Sequence, residues 1–248
     1  MKIIGIIPAR YASSRFPGKA LALIKGRPMI EWVYKQALKA VSLNDVYIAT
    51  DDERIVKAVE AFKGKVLLTS AHHRSGTERC NEAALKLKEQ GIAMDAIINI
   101  QGDEPLINPR QIDILASLFS NDRIQIATLV KKITLKEELF DPNVVKAIVR
   151  PDDKAIYFSR QAVPYLRDVD TGQWLEKQEF YKHIGIYGYT VRVLEEIVNL
   201  KESPLEKAES LEQLRWLENG FEIFAKETEF ESFGIDTPED LMKIKNSS

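Results

Sequence analysis

The stretch KIIGIIPARYASSRFPGK, residues 2–19, decides the fold and raises the question of function. Its first half is a run of isoleucines that stops at Pro8, a pattern typical of a strand buried on both faces of a parallel sheet. Its second half places Arg10, Arg15 and Lys19 among small and turn-forming residues. Backbone amides and cations close together suit a phosphate group, but a solvated basic loop has the same composition. From this loop alone both interpretations stay open.

The loop does not match the common phosphate-binding motifs. The pattern GxxxxGK[ST] needs Gly at position 13 and Ser or Thr at position 20, where this chain has Ser13 and Ala20. The pattern GxGxxG of dinucleotide-binding folds does not occur in the sequence. A phosphate site here would therefore be of another kind.

Strands and helices alternate through the first half of the chain. Apolar residues recur at helical spacing after the first loop, and β-rich segments separated by amphipathic segments follow. We predict strands at 2–7, 45–50, 65–69 and 95–105, and helices at about 30–41, 51–62, 77–90 and 109–119. This alternation predicts an α/β fold with a doubly wound, mostly parallel sheet and right-handed crossovers.

The second half is less regular. We predict strands within 124–133, 144–150, 154–160, 183–190 and 221–227, and helices at 190–200, at 209–219 and after Asp236. Long repeats, low-complexity linkers and charge blocks are not seen in the sequence. We therefore expect residues 1–248 to form a single domain, with a break between its two parts near 135–145.

Composition excludes several classes of protein. The 248 residues carry a formal net charge of −2, which argues against a chain that coats nucleic acid or an anionic membrane. The apolar runs are too short for a signal peptide or a membrane-spanning helix. Cys80 is the only cysteine, so an intramolecular disulfide is excluded, and we expect a packed thiol in a reducing, cytoplasmic compartment.

Ligands of open parallel sheets bind beyond the carboxyl ends of the strands, so the loops there hold the candidate residues. In the second such loop, TSAHHRSGTER (69–79), Ser75 and Gly76 predict a helix N-terminus, whose free amides can meet an anion or a base edge. His72 and His73 are adjacent and have no third ligand nearby in the sequence, which argues against a zinc site.

A third loop, in IINIQGDEP (97–105), ends in Gln101, Gly102, Asp103 and Glu104. Hard oxygen ligands at this edge of the sheet suit Mg²⁺. The sequence therefore offers a candidate metal ligand directly after a central strand.

A fourth loop, SFGIDTPEDL (232–241), places Asp236 after a short apolar run. An Asp or Thr just before Pro and an acidic turn is also how helices begin, and on spacing alone the helix cap is the preferred interpretation of Asp236. Asp51 and Asp52 are likewise expected to cap a helix and are left outside the candidate site.

Seven segments, in this order, resemble the sugar-acid cytidylyltransferases, most closely the branch that acts on 3-deoxy-manno-octulosonate (KDO). They are IIPARYASSRFPGKAL (6–21), HRSGTER (73–79), NIQGDEP (99–105), FSRQAVPY (158–165), KHIGIYGY (182–189), SPLEKAESLEQLR (203–215) and GIDTPEDL (234–241). KHIGIYGY followed by LEQLR is the specific part, because the first loop in broader form occurs in many nucleotidyltransferases. The resemblance runs from the first predicted strand to the last predicted helix.

The resemblance implies transfer of CMP from CTP to a sugar acid with release of pyrophosphate. It implies a Mg²⁺-dependent enzyme of the Rossmann-like, nucleotide-diphospho-sugar-transferase type that usually dimerises. Implied nucleotide contacts are Pro8, Ala9, Arg10, Arg15, Lys19, Ala71, Arg74, Ser75, Gly76 and Gln101. Implied acceptor contacts are Arg160, Gln161, His183, Tyr187, Glu212 and Gln213. The implied catalytic residues are Arg10, Arg15, Lys19, Asp103 and Asp236, with Asp103 and Asp236 as metal ligands, which overturns the cap preference for Asp236.

By the same resemblance, residues of about 1–135 would bind the nucleotide, those of about 140–220 would bind the acceptor and form a dimer, and 221–248 would return to the active site. His183 has a rival explanation as a hydrogen-bonded core residue. Phe233 and the stretch 165–181 depart from the family pattern, and the stretch 165–181 is expected to be an arm used in dimer contacts.

Three other functions stay open on sequence alone. The acceptor could be the 8-amino analogue of KDO or a nonulosonic acid such as a sialic acid. A nucleotide-sensing binding module would keep the loops without turnover, but it would not need both Asp103 and Asp236. A sugar-phosphate nucleotidyltransferase would need a basic acceptor pocket for a phosphate.

Overall fold

The isoleucine run forms the central strand of the sheet. In the computed structural model, which describes residues 1–12 and 16–246 with side chains as far as Lys243, strand β1 spans Ile3–Ala9. Ile6 and Ile7 are fully buried, one on each face of the sheet, because successive side chains of a strand point to opposite sides. Burial on both faces explains why this strand reads as a continuous apolar run.

The remaining elements follow the predicted alternation. In chain order they are β2 (Leu23–Ile24), β3 (Arg27–Pro28), α1 (Met29–Ala37), β4 (Asp45–Thr50), α2 (Glu53–Ala61), β5 (Val66–Leu68), α3 (Gly76–Glu89), β6 (Ala96–Asn99), α4 (Pro109–Leu118), β7 (Ile126–Lys132), α5 (Lys136–Phe140), β8 (Lys146–Val149), β9 (Ala155–Ser159), α6 (Trp174–Lys177), β10 (Tyr181–Thr190), α7 (Val191–Ile197), α8 (Pro204–Glu209), α9 (Glu212–Glu218), β11 (Ile223–Glu227) and α10 (Pro238–Asn246). Single turns of 3₁₀ helix lie at Lys19–Leu21 and Thr171–Gln173.

The main sheet has the strand order β11–β7–β10–β6–β1–β4–β5, with β8 and β9 continuing from the first residues of β10. β1 pairs in parallel with β4 and β6, β4 with β5, and β11 with β7. β10 runs antiparallel to β6, β7 and β8, and β8 runs antiparallel to β9. The predicted doubly wound, mostly parallel α/β sheet is confirmed, and the antiparallel strands belong to the less regular second half.

Helices cover both faces of the sheet. One apolar cluster packs α1, α2 and α4 against one face, and a second packs α3, α7 and α9 against the other. Cys80 on α3 lies fully buried in the second cluster, and this burial raises the pKa of its thiol, as expected for a packed rather than a reactive cysteine.

Some predicted boundaries were wrong. The helix predicted at 209–219 is α9, which begins only at Glu212. Ser210, with a left-handed φ of +52°, ends the preceding helix α8, which was not predicted. The strand predicted over 95–105 ends at Asn99, so Gln101 to Glu104 lie in the loop that follows it. The hairpin β2–β3 and the short helices α5 and α6 were not predicted, since each is too short for a clear period.

The stretch 165–181 is held by aromatic packing. Trp174 stacks on Phe180 at 5.9 Å between ring centroids and meets Tyr165 edge-on at 5.4 Å. Its indole nitrogen donates a hydrogen bond to the carbonyl of Val169 at 3.0 Å. These contacts make the stretch a packed extension beside β10.

Candidate functional site

The loops after β1, β5 and β6 meet the C-terminal segment around one cavity of about 290 Å³ at the carboxyl edge of the parallel strands. This is where ligands of such sheets bind. Its walls are Pro8, Ala9, Arg10, Lys19, Ala20, His73, Arg74, Ser75, Gly76, Arg79, Gln101, Gly102, Asp103 and Asp236. Most of the predicted nucleotide contacts and both predicted metal ligands thus lie around one cavity, from segments more than 200 residues apart.

The loop after β1 closes on itself through Gly18. The amide of Gly18 donates to the carbonyl of Tyr11 at 2.8 Å, and its φ of +72° is one that glycine adopts without strain. The guanidinium carbon of Arg54 lies 3.3 Å from the centroid of the Tyr11 ring, so helix α2 supports the loop from outside. Arg10 and Lys19 lie on its cavity side, whereas Arg15 lies outside the described residues.

Helix α3 begins at the cavity wall. The Ser75 hydroxyl caps the helix by accepting from the amide of Glu78 at 3.2 Å, and Gly76 is its first residue. The wall there is formed by a helix N-terminus, which favours an anion.

Three residues of α3 anchor the loop after β5. Arg79 is only 3% exposed and donates to the Thr69 hydroxyl at 2.7 Å, the Ser70 carbonyl at 3.2 Å and Asp51 at 3.0 Å. Glu82 accepts from the amide of Ser70 at 2.8 Å and pairs with the ring of His73. Glu78 accepts from the amide of Arg74 at 2.8 Å. The loop is thereby fixed at the cavity, although Ala71 is exposed and does not line it.

Lys19 lies between the two candidate metal ligands. Its ammonium group donates to Asp103 at 2.5 Å, to Asp236 at 3.2 Å and to the carbonyl of Ile235 at 3.4 Å. The amide of Ile235 in turn donates to the carbonyl of Asp103 at 2.9 Å, so the C-terminal segment is tied to the loop after β6. Three oxygen atoms, two of them anionic, surround one cation here.

The cap that spacing assigned to Asp236 is supplied by its neighbour. The hydroxyl of Thr237 accepts from the amide of Asp240 at 3.2 Å, and the Asp240 carboxylate accepts from the amide and hydroxyl of Thr237. The side chain of Asp236 instead pairs with Lys19. Asp52, by contrast, caps α2 as predicted, accepting from the amide of Arg54 at 2.9 Å.

A close backbone approach shapes the floor of the cavity. A Cβ atom on Gly102 would lie 2.7 Å from the carbonyl oxygen of Pro8, so only glycine lets the loops after β1 and β6 come this close. Glu104, two residues on, is buried, and burial raises its pKa to about 7.

The six implied acceptor residues do not line this cavity and belong to the second half of the chain. Gln101 links the two regions, because its side-chain amide donates to the carbonyl of Gly185 at 2.8 Å. Gly185 lies in a bulge of β10, where the register shifts between Ile184 and Tyr187. Such bulges re-aim side chains next to a site.

Each implied acceptor residue has a defined environment. Arg160 is partly exposed and donates to the carbonyls of Glu209 at 2.6 Å, Pro142 at 3.0 Å and Ser210 at 3.4 Å. Gln161 is exposed, whereas Tyr187 and Gln213 are buried. Glu212 begins α9 and accepts from the hydroxyl of Thr77 at 2.7 Å.

His183 is packed in the way its rival explanation expected. Its ring contacts Phe158 edge-on at 5.1 Å and Tyr187 at 5.2 Å, and burial lowers its pKa to about 3. Nε2 lies 3.0 Å from the hydroxyl of Thr128, which donates to the carbonyl of Ile186 at 2.8 Å. The hydroxyl has one proton, so Nε2 is the donor and Nδ1 is the acceptor. A neutral ring with an accepting nitrogen can still bind a hydroxyl group.

Several wall residues were missed by sequence reasoning. His73 was considered only as a metal ligand, and Arg79 and Gly102 were not singled out, although they stand in the quoted segments HRSGTER and NIQGDEP. Among the described residues, no group of three or more His, Cys, Asp and Glu side chains converges on a point that could hold a metal. Nor does the described chain contain a helix long and apolar enough to cross a membrane.

Comparisons with known proteins agree with this geometry. A family model described as cytidylyltransferase matches residues 4–245. The 3-deoxy-manno-octulosonate cytidylyltransferase of Parabacteroides distasonis is 53% identical, over 98% of this chain and 96% of its own length. That of Cytophaga hutchinsonii is 51% identical, over 100% of this chain and 98% of its own.

Solved structures show the same relationship. A CMP:2-keto-3-deoxy-manno-octonic acid synthetase complexed with CTP superposes with a TM-score of 0.90 at 41% identity, over 99% of this chain and 97% of the other. A glucose-1-phosphate thymidylyltransferase from Bacillus anthracis superposes with a TM-score of 0.62 at 20% identity, over 98% and 94% of the two chains, which shows a shared fold alone. Because the family match and the identities extend over nearly the whole chain, this chain belongs to the cytidylyltransferase family, within its 3-deoxy-manno-octulosonate branch.

Proposed function

We propose that the protein transfers CMP from CTP to the anomeric hydroxyl of 3-deoxy-manno-octulosonate and releases pyrophosphate, the step that activates KDO for lipopolysaccharide synthesis. The observation that carries the proposal is the cavity, where the cationic loop after β1, the N-terminus of α3 and the pair Asp103–Asp236 face one another. The substrates are those named for the relatives and for the structural neighbour.

The proposed reaction requires the protein to position the two substrates and to neutralise the charge of the triphosphate. The attacking hydroxyl must approach the α-phosphorus in line with the departing pyrophosphate, so little covalent work falls to the protein. Arg10 lies exposed at the cavity and can receive the growing charge of the pyrophosphate, as can the amides at the start of α3. Arg15 has the same role by prediction.

The residues also fit a divalent cation. Asp103 and Asp236 would hold Mg²⁺, since the ammonium group of Lys19 already shows that these oxygen atoms gather around a cation. Bound there, Mg²⁺ would act as a Lewis acid and as a template for the nucleotide and the sugar. Lys19 would then turn from the carboxylates to the triphosphate, because both cations need the same oxygen atoms.

The acceptor is proposed to lie between Gln101 and the residues of β10 and α9. Arg160 uses three of its five N–H groups on carbonyls, which orients its guanidinium and leaves two N–H groups for the carboxylate of the sugar acid. His183 offers Nδ1 to a sugar hydroxyl. Gln161, Tyr187, Glu212 and Gln213 keep their predicted contact roles.

The deciding experiment is pyrophosphate release with CTP, Mg²⁺ and KDO. Parallel reactions contain the 8-amino analogue of KDO, N-acetylneuraminate, a phosphorylated sugar or no acceptor. We expect release that depends on KDO. Release with the phosphorylated sugar alone would point to a sugar-phosphate nucleotidyltransferase, and CTP binding without release on any acceptor would point to a nucleotide sensor.

We further propose that two copies of the chain pair through the second half. Large apolar side chains are exposed there, with Leu135 57%, Ile156 55% and Tyr165 76% accessible. Exposed apolar side chains that come together in one patch mark protein–protein interfaces, and we propose that these three contribute to such a patch. A cytoplasmic location, expected from the single cysteine and the need for CTP, stays a prediction.

A further inference from the structure

One hydrogen bond joins the wall of the nucleotide cavity to the proposed acceptor region. Thr77, the second residue of α3, is 3% exposed and donates from its hydroxyl to Oε2 of Glu212 at 2.7 Å. The two residues are 135 positions apart in the chain. Ser75 and Gly76, immediately before Thr77, line the nucleotide cavity. The same helix turn therefore faces the nucleotide on one side and holds a carboxylate on the other.

The carboxylate that Thr77 holds is in an unfavourable place for a charge. Burial raises the pKa of Glu212, and Glu206 raises it further, whereas hydrogen bonds from Thr77 and Ser75 and the charge of Arg215 lower it. When a buried hydrogen-bond acceptor loses its donor, the free-energy cost of removing it from water is no longer offset. The hydroxyl of Thr77 is thus one of the groups that allow Glu212 to stay ionised.

Two buried tyrosine hydroxyls lie close to Glu212. That of Tyr187 lies near the hydroxyl of Thr128 and that of Tyr189 near the hydroxyl of Thr77, although among the described residues neither reaches full hydrogen-bond geometry. Burial is the main cause that raises the pKa of both tyrosines, and the charge of Glu212 raises it further, so both lie within the field of that carboxylate. Trp216 meets both rings edge-on, at 5.1 and 5.5 Å, and fixes them. Glu212 is therefore held in a rigid, largely apolar setting, where the loss of one hydrogen bond has a large effect on its position and charge.

We propose that Thr77 is a positioning residue for the acceptor: its hydroxyl aims Glu212 at the sugar acid and ties that contact to the helix that borders the nucleotide. This inference rests on the proposed function, because it assigns Glu212 to sugar binding. Thr77 itself touches neither substrate. Its effect should therefore appear in the KM for the sugar and be absent from the binding of CTP.

The test compares Thr77→Val, which keeps the shape and loses the hydroxyl, with Thr77→Ser, which keeps the hydroxyl. We expect Thr77→Val to raise the KM for KDO about tenfold or more and to change the dissociation constant of CTP less than twofold. Thr77→Ser should stay within threefold of wild type in both. The acidic limb of kcat/KM for KDO should move to higher pH in Thr77→Val, because the ionised form of Glu212 loses a hydrogen bond.

A double-mutant cycle separates this role from a purely structural one. If Thr77 acts through Glu212, Thr77→Val should add less than twofold to the defect of Glu212→Gln in the KM for KDO. The proposal would be overturned if the two single-variant increases in the KM for KDO multiplied in the double variant. Equal losses of KDO and CTP binding in Thr77→Val would overturn it as well. Circular dichroism and thermal melting of each variant show that it is folded. Wild-type protein that releases no pyrophosphate with KDO would instead refute the proposed function, and this role with it.

Discussion

At the residue scale, Lys19 gives a direct test of the proposed metal site, because its ammonium group occupies oxygen atoms that a metal ion would need. Replacing it with Met keeps the length of the side chain and removes the competing cation. We expect Lys19→Met to bind Mn²⁺ without nucleotide about tenfold more tightly than wild type, measured by electron paramagnetic resonance of free Mn²⁺. Turnover at saturating CTP should fall about 100-fold or more, since a charge-stabilising donor is lost.

Lys39→Met is the matched control for Lys19, because Lys39 is exposed and contacts only the side chain of Gln36 among its described neighbours. It should leave both Mn²⁺ binding and turnover unchanged. Weaker Mn²⁺ binding in Lys19→Met than in wild type would contradict the shared site, and turnover above a tenth of wild type would remove Lys19 from catalysis.

His183 predicts a pH dependence of stability. Burial lowers its pKa from 6.5 to about 3, so the unfolded chain binds a proton near pH 6.5 that the folded chain does not accept until about pH 3. The contribution of the packed, neutral ring to the unfolding free energy is complete above pH 6.5 and is lost as the pH falls toward 3. Between pH 7.5 and 5.0 the loss is about 1 to 2 kcal/mol.

His183→Gln does not titrate, so the gap in unfolding free energy between wild type and this variant should narrow by that amount from pH 7.5 to 5.0. Urea unfolding at the two pH values measures it. Glu104, whose raised pKa acts in the opposite direction, is present in both proteins and cancels. A gap independent of pH would show that the ring of His183 is solvated.

Part of the candidate site could be predicted from residue types, and the rest depends on three-dimensional geometry. Lys19 and Asp103 could be expected near one another because both follow parallel strands, whose carboxyl ends meet at one edge of the sheet. Their roles came from the resemblance, since the basic loop alone left a phosphate site and a solvated loop both open. Asp236 and Thr237 are adjacent before Pro238, so spacing could not tell which of them caps α10. Arg79 was missed because its three acceptors lie on two other loops.

At the element scale, the approach of two loops depends on Gly102. A Cβ there would meet the Pro8 carbonyl at 2.7 Å, so Gly102→Ala must push the loop after β6 away from the end of β1, together with Asp103. We expect kcat to fall at least tenfold and the unfolding free energy to drop by about 1 to 3 kcal/mol. Steady-state pyrophosphate release and urea unfolding measure the two effects.

Gly234→Ala is the control, because no atom of the described residues lies within 4 Å of the position of its Cβ, although it too stands close to a candidate metal ligand. It should keep activity and stability near those of wild type. If Gly102→Ala behaved in the same way, the close approach of the two loops would have no part in catalysis.

Helices and strands with a regular hydrophobic pattern could be predicted from the sequence, and boundaries set by a single backbone angle could not. β4 was predicted at its observed bounds, because five apolar or β-branched residues follow Asp45 and end before a helix cap. The break between α8 and α9 depends on the left-handed backbone conformation of Ser210, which could not be predicted from the residue type. The bulge of β10 depends on register with β6 and β7, which no local pattern contains.

At the scale of the whole molecule, the site exists because the chain end returns to its beginning. Ile235 and Leu241 pack with Ile24 and Met29, which fixes the C-terminal segment against the first loop region. The Ile235 amide binds the carbonyl of Asp103, and Glu231 pairs with Lys131 at 2.6 Å and with Lys182 at 3.0 Å. The contacts of Ile235 with Asp103 and with Ile24 join residues more than 100 positions apart, so their existence could be expected only from the resemblance.

The exposed apolar side chains of the second half give the last prediction. If two chains pair there, Ile156→Asp places a charge in the interface and should shift the protein from dimer to monomer at about 10 μM, since an unpaired buried charge is strongly unfavourable. Sedimentation velocity measures the mass.

Val41→Asp is the control, because Val41 is 91% exposed in the first half of the chain and its substitution should leave the dimer intact. Because Leu135, Ile156 and Tyr165 do not line the proposed nucleotide cavity, a monomeric Ile156→Asp should still bind CTP, whereas its KM for KDO reports whether pairing shapes the acceptor region. Equal masses for wild type and Ile156→Asp would place the interface elsewhere.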